Sequence, residues 1–304
     1  MSNAFSRPSD FNPELFRTPE SIDRGAPFWS WNGSLDGERL LHQLAVFQEM
    51  GLGGAHLHPR TGLETPYLSE EFLGLVRHVT DEAERRGLLA WLYDEDRWPS
   101  GFAGGLATAE ERFRLRHLRL SRTRIAAGET RPCPTHHGAP LPLTERTFVA
   151  AWALTFDKGL LTGRRLVAED ASVSPDETAL YAYLEIPPAW TWFNNTQYVD
   201  TLNPEAMRAF ITATHERYAS AVGDRFGSVI PAIFTDEPLF RGMDLPYSAS
   251  DDRDVILSWT DDLPETYRAA YDEDLLALLP DVLYDRADGR HRLARWRFHD
   301  HHTD

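Results

Sequence analysis

Apolar residues in the first third of the chain switch between two spacings. From Pro27 to Gly33, Trp29 and Trp31 alternate with Phe28, Ser30 and Asn32, the period of a half-buried strand. Asp36 then stands where an N-cap belongs, ahead of Leu40, Leu41, Leu44 and Phe47 at helical spacing, and Gly51 stops that helix. Leu52 to Leu57 is a second strand. Ser69 caps a second helix carrying Phe72, Leu75, Val76, Val79 and Ala83 up to Gly87, with Leu68 and Leu73 placed as a hydrophobic staple. Leu88 to Tyr93 is a near-continuous apolar run, the pattern of a parallel strand covered on both faces. Three strand–helix units in succession predict an α/β fold.

From Arg116 to Ile186 the period falls to two: Phe148, Ala150, Trp152, Leu154 and Phe156 alternate with smaller residues, as do Leu180, Ala182, Leu184 and Ile186. That predicts an inserted antiparallel β-subdomain. Asn203 and Pro204 then open a helix whose stripe is Met207, Phe210, Ile211, Thr214 and Tyr218, ending at Gly223, and Val229 to Phe234 is a fourth strand. Leu263–Leu279 and Arg290–Phe298 have helical spacing. A closed eight-unit barrel takes about 250 residues without insertions, and the residues after Pro238 are too few for four further units. The expectation is therefore a partial (β/α)8 barrel of four units rather than an open sheet. Its divisions are expected at 1–115 for the first three units, 116–190 for the insert, and 191–304 for the fourth unit and following helices.

Charge narrows the partners. With 31 basic and 47 acidic side chains the net charge is −16, and without a basic run this excludes a phosphate-backbone or anionic-lipid surface as the expected partner. Cys133, the single cysteine, permits no intrachain disulfide and is expected as a small buried hydrophobe. The N-terminal residues show no signal-peptide core and no stretch is long enough to span a bilayer, so the expectation is a cytoplasmic, soluble protein. The Asn-X-Ser/Thr triplets at Asn32 and Asn194 are read as chance matches.

Ligands of parallel α/β folds bind at the carboxyl ends of the strands. Here these ends carry Trp31 and Asn32; His56, His58 and Arg60; Asp94, Glu95, Asp96 and Trp98; and Asp236 and Glu237. Carboxylates beside indoles suit a sugar, whose ring stacks on aromatic faces while carboxyl groups move protons. Glu237, directly after strand four and before Pro238, is the candidate general acid, with desolvation and Asp236 expected to raise its pKa. The competing reading makes Asp236 or Glu237 a helix cap or a partner of Arg241. For Asp94–Asp96, hydroxyl or hard-metal binding stands against a solvated loop. His56 and His58 share one strand face and with Asp96 make a possible zinc or manganese triad, set against sugar binding or core packing. His136, His137, His299, His301 and His302 lie in polar, expectedly exposed stretches, and Trp190, Trp192, Phe193 and Tyr198 form either a glycan platform or packing.

Several strings carry a resemblance: Pro27–Gly33 (PFWSWNG), Gly53-Gly54, Arg60–Leu63 (RTGL), Tyr67-Leu68-Ser69, Tyr93–Asp96 with Trp98–Gly101, Asp200–Pro204 (DTLNP) and Phe234–Pro238 (FTDEP). In this order they resemble the α-L-rhamnosidases of glycoside hydrolase family 106. The resemblance implies a catalytic (β/α)8 barrel, inverting hydrolysis of terminal rhamnosides in carbohydrate metabolism, an association with calcium, and Glu237 as the barrel's general acid. It places Asn32, Arg60, Asp94, Glu95 and Asp96 in the sugar subsite, to which the strand-end reading adds His58, Trp98 and Asp236 as substrate-binding candidates. The later barrel strands, and the second carboxylate they would supply, are missing from these 304 residues. The leading expectation is thus a fragment of a rhamnosidase-type enzyme with a rhamnose-containing glycan as partner. A non-catalytic carbohydrate-binding protein using Trp31, Trp98 and the Trp190–Tyr198 stretch, and a metal-dependent sugar isomerase built on His56, His58 and Asp96, are the alternatives. An open barrel edge also predicts self-association.

Overall fold

Short apolar runs can pair in parallel only if the chain crosses back over the sheet between them, and here helices make those crossings. The computed structural model describes residues 11–126, 128–129, 131–133, 141–142, 145–239 and 245–303. His136, His137 and Arg241, and the side chain of Cys133, lie outside what is described. The chain divides into two units, Met1–Arg112 with Pro204–Leu239, and Phe113–Asn203 with Phe240–Asp304. The first contains α1 (Pro13–Arg17), β1 (Phe28–Gly33), α2 (Gly37–Glu49), β2 (Gly54–Leu63), α3 (Glu70–Arg86) and β3 (Leu89–Tyr93). The second contributes β4 (Arg116–Ser121), β5 (Pro132–Cys133), β6 (Leu141–Pro142), β7 (Glu145–Asp157), β8 (Leu160–Val167) and β9 (Thr178–Ile186). The chain then returns to the first unit for α4 (Pro204–Ala213), α5 (His215–Val222) and β10 (Ile233–Phe234), and ends in the second with β11 (Val255–Trp259), α6 (Leu263–Tyr271), α7 (Leu275–Leu283) and α8 (Arg290–His301).

In the first unit the parallel order is β1-β2-β3-β10, the order in which the strands occur along the chain. The caps read from the sequence form: Asp36 accepts from the Arg39 N–H at 2.8 Å, Ser69 Oγ from the Phe72 N–H at 3.2 Å, and Gly87 closes α3 in the left-handed conformation. Trp29, Trp31, Ala55, Leu57, Ala90 and Leu92 point to one side of the sheet and join Leu44, Phe72, Val76, Val79 and Ala83 in one core. Two glycines permit the close approach of the backbone there. A Cβ at Gly54 would fall 1.8 Å from the Leu89 carbonyl oxygen, and one at Gly53 would fall 1.8 Å from that of Ser21.

The opposite side of this sheet is aromatic. Register pairs Phe28 with His56, Ser30 with His58, His56 with Trp91, and Phe234 with Tyr93. As a result His58 is sandwiched between Phe28 and Tyr93, with ring centroids 4.6 and 4.0 Å away, and His56 stacks on Trp91 at 5.1 Å. The fourth strand is shorter than its apolar run because Pro231 lacks an N–H. The carbonyls of Val229, Ala232 and Phe234 still accept from Ala90, Leu92 and Asp94. The helix expected to run on to Gly223 breaks at Thr214 into α4 and α5. Within the described residues β1 and β10 are the edges of this sheet, and a closed barrel is not formed by them.

The second unit is a five-stranded antiparallel sheet, β11-β4-β9-β7-β8, with β5 and β6 as a separate pair. Leu118, Leu120, Trp152, Leu154, Leu180, Ala182, Val255 and Leu257 face Leu263, Tyr267, Leu275, Leu279, Val282 and Phe298 of α6, α7 and α8. Residues 255–301 are therefore a strand and helix layer of the β-unit, where the expected divisions placed 191–304 with the fourth barrel unit. The reason is β11, which pairs antiparallel with β4 from Val255↔Leu120 to Trp259↔Arg116 and carries the following helices with it. His301 and His302 are half-buried rather than exposed, contacting Thr266 Oγ1 at 2.9 Å and the Phe298 carbonyl at 2.6 Å.

On the other face of this sheet Glu185 is fully buried, against His117 Nε2 at 2.7 Å and the Nε–H donors of Arg119 and Arg146 at 2.8 Å each. Burial alone would raise its carboxyl, but the bonds from His117 and Arg119 outweigh this and hold it at about 2, below the ordinary glutamate value of 4.5. A depressed pKa contributes stability that is complete above the unfolded value and is lost as pH falls from 4.5 towards about 2. We expect Glu185→Gln to lower stability at pH 7 by about 3 kcal/mol, since it removes the charge that the Arg119 and Arg146 Nε–H donors face and leaves Arg119 with Asp254 alone. Thermal melts across this pH range should fall less steeply in the variant than in the parent protein.

Candidate functional site

Past Tyr93 the chain leaves β3 as Asp94-Glu95-Asp96, three carboxylates with three different surroundings. Glu95 is fully buried and turns back into its own loop. Its Oε1 accepts from the Asp96 N–H at 3.0 Å and the Gly104 N–H at 2.5 Å, and its Oε2 from the Gly101 N–H at 3.1 Å and the Ala103 N–H at 2.7 Å. Burial pushes its carboxyl well up, with the Asp96 charge adding to this and the backbone amides opposing it. Glu95 thus folds the loop 96–104 around itself and does not face a sugar, a correction to its expected place in the subsite.

Asp94, also fully buried, joins β3 to β10. Ser100 Oγ donates to its Oδ1 at 2.6 Å and Thr235 Oγ1 to its Oδ2 at 2.6 Å, while the Asp236 N–H donates to Ser100 Oγ at 2.9 Å. Desolvation raises the Asp94 carboxyl, and the two hydroxyls pull it back. Both oxygens are occupied, so Asp94 also supports the site from behind rather than lining it. Asp96 is buried beside Arg97, whose Nη2–H donates to Oδ2 at 3.0 Å.

The exposed end of the site is formed by β10 and the loop after β3. Glu237 follows Thr235-Asp236 with φ +42°, a left-handed backbone that turns its exposed side chain out of line with the strand. Trp98 Nε1–H donates to Glu237 Oε2 at 3.1 Å. The burial expected at Glu237 is found instead at its neighbour. Asp236 is half-buried, and desolvation followed by the Glu237 charge raises its carboxyl, while Arg60 and the Tyr93 hydroxyl lower it. Arg60 is exposed and its Nη1–H donates to His58 Nε2 at 3.1 Å. Guanidinium only donates, so Nε2 must accept and the His58 proton sits on Nδ1. Burial, then Arg60 and His56, lowers the His58 pKa to about 4, so the ring is neutral. Asn32 is exposed at the end of β1.

The sequence-derived site thus separates into two layers: Asn32, Arg60, Trp98, Asp236 and Glu237 reach the surface, while His58, Asp94, Glu95 and Asp96 lie behind it. The zinc or manganese triad does not form. His56 and His58 are engaged in ring stacks and Asp96 with Arg97, and among the described residues no group of three or more His, Cys, Asp or Glu is placed to hold a metal ion. The 94–96 carboxylates do not fit calcium either, because amide, hydroxyl and guanidinium donors already take their oxygens. Trp31 is 1% exposed on the helix side of β1, which removes it as a sugar platform. Trp190, Phe193 and Tyr198 pack in sequence, with centroids 5.7 and 5.5 Å apart and Tyr198 buried. Asp200, in the Asp-Thr-Leu-Asn-Pro string, is buried in the second unit, where desolvation raises its carboxyl to about 6. It accepts from Thr260 Oγ1 at 2.7 Å and from the Leu202 N–H at 3.1 Å, the role of a turn anchor.

Sequence reasoning passed over His215. It begins α5 with its Nε2 3.9 Å from Asp94 Oδ2, and its only local signal is the helix break at Thr214. Thr235, read as part of a strand end, is likewise a partner of Asp94.

The fold is a mixed α/β chain with a parallel sheet in one unit and an antiparallel sheet in the other. No family model and no curated protein matches it. Among solved structures it is similar to a rhamnosidase from Novosphingobium sp. PP1Y, with a TM-score of 0.50 and 14% identity over 88% of this chain. That is a likeness of fold. The chain spans 42% of the length of that protein. Among the described residues no helix is long and apolar enough to cross a membrane.

Replacing Glu95 by Gln would set an amide NH2 against backbone N–H donors and strip at least one of them of its acceptor, at about 1–3 kcal/mol for each orphaned group. We expect Glu95→Gln to lower the unfolding free energy by roughly 2–4 kcal/mol. Faster amide exchange at Gly101, Ala103 and Gly104 would show that the loss arises in this loop.

Proposed function

We propose that this chain is the first part of a glycoside hydrolase of the α-L-rhamnosidase type, acting on terminal rhamnosides with inversion, and that its parallel sheet is the first half of a (β/α)8 barrel. The observation that carries this reading is Glu237. It is an exposed carboxylate at the carboxyl end of the fourth parallel strand, held by the Trp98 indole at 3.1 Å and preceded by a half-buried Asp236. The fold likeness to a rhamnosidase and the ordered strings from Pro27 to Pro238 support it. In this reading Glu237 is the general acid that protonates the leaving oxygen. Trp98 orients it and offers the face of a sugar ring a surface, and Arg60, Asn32 and Asp236 bind hydroxyls.

Inversion needs a second carboxyl group about 6.5–9.5 Å from the first, with the attacking water between them. Asp94 and Asp96 cannot serve, being buried and engaged, so the base is assigned to barrel strands beyond this segment. No step is routed through calcium. Pairing of further strands with the β1 and β10 edges, by the rest of the polypeptide or a second copy, belongs to the same proposal.

In a protein carrying this segment together with its remaining barrel strands, Glu237→Gln is expected to lower kcat on an aryl α-L-rhamnoside by about 10²–10⁴. The loss should be smallest with the most acidic phenol as leaving group, which needs the least protonation. Full activity in the variant would end the assignment. Saturable rhamnoside binding without turnover in the parent protein would instead favour a carbohydrate-binding role.

A further inference from the structure

Thr214 has one hydroxyl proton, and it goes to the Phe210 carbonyl oxygen at 2.7 Å. The 2.8 Å contact between Thr214 Oγ1 and His215 Nδ1 must therefore run the other way, with His215 Nδ1–H donating and Thr214 Oγ1 accepting. This fixes the imidazole. Its Nδ1 edge is held by the helix break between α4 and α5, and its Nε2 edge is turned on Asp94 Oδ2 at 3.9 Å. The Nε2 edge is thus the part of the ring that faces the buried carboxylate, beside the Thr235 hydroxyl that donates to the same oxygen.

From Asp94 the connection continues through groups already described. Ser100 Oγ donates to Oδ1 and accepts the Asp236 N–H, and Thr235 Oγ1 donates to Oδ2. The Ser100 N–H in turn donates to the Asp236 carbonyl at 2.9 Å. One buried carboxylate thus joins a helix start, a loop and the strand end that carries Asp236 and Glu237. We propose that His215 is the positioning residue of this end of the sheet: its Nε2 edge compensates Asp94, and Asp94 through Ser100 and Thr235 sets the backbone on which Glu237 is presented. The inference rests on the reading of Glu237 as the acting carboxylate for its functional meaning, but its test does not depend on activity.

Gln and Asn separate the two edges of the ring, since a Gln amide reaches the place of Nε2 and an Asn amide that of Nδ1. Amide exchange at Asp236 reads the far end of the connection. We expect His215→Asn to speed exchange there at least about tenfold, and His215→Gln to hold it within about threefold of the parent. Any other ordering, including equal effects of both variants or none from Asn, overturns the proposal. If neither variant folds, the imidazole 15N shifts of the parent protein decide. A protonated Nδ1 on His215 is expected, and an unprotonated Nδ1 overturns the proposal. Absence of rhamnosidase turnover would bear on Glu237 alone and leave these readings unchanged.

Discussion

A carboxylate with no exposure and four backbone amides around it dictates the geometry of the first unit's functional end. Glu95 has to be enclosed, because its oxygens are the acceptors for four backbone N–H groups of the loop, those of Asp96, Gly101, Ala103 and Gly104. With that loop closed, Ser100 is placed to donate to Asp94 and to accept from the Asp236 N–H, and Trp98 is placed to meet Glu237. The exposed acid and its indole partner thus depend on an interaction that never reaches the surface. Polar groups that cannot contact substrate can still specify a site, because leaving any of them unmatched in low dielectric costs more than the contact itself returns.

Much of this was legible in the residues. Asp36, Ser69 and Gly87 punctuate helices through local chemistry, and the alternation of Trp29 and Trp31 with Phe28 and Ser30 assigns the two faces of β1, so these features need no knowledge of distant chain. The four strand ends were found for the same reason. What period and capping could not reveal is which carboxylate in Asp94-Glu95-Asp96 faces inward, since three consecutive acids leave a strand end in directions set by the loop that follows. His215 was invisible because its partner lies 121 positions earlier in the chain (215 − 94 = 121). Val255–Trp259 was overlooked as a strand, and with it the attachment of the C-terminal helices to the antiparallel sheet.

Buried charge is matched in two contrasting ways, and both units use both: Asp96 in the first unit has the Arg97 guanidinium, and Asp200 in the second has the Thr260 hydroxyl and the Leu202 amide. Glu185 in the second is matched by permanent cations, which hold it ionised to low pH. Asp94 and Glu95 in the first are matched by hydroxyls and amides, and burial pulls their carboxyls upward. Guanidinium partners make a rigid ionic joint suited to a scaffold, whereas dipolar partners leave a carboxylate sensitive to what approaches it.

The order in which the chain visits its units has a consequence for its synthesis. The antiparallel sheet has four of its five strands by Ile186, yet the residues that cover Leu118, Trp152 and Leu180 arrive only with Leu263 to Phe298. Between those points the ribosome adds α4, α5 and β10, which belong to the other unit. At about 5–20 residues per second, that face stays uncovered for several seconds or more while the neighbouring unit is completed. A nascent chain thus carries Trp152 and its neighbours uncovered until α6, α7 and α8 have been made.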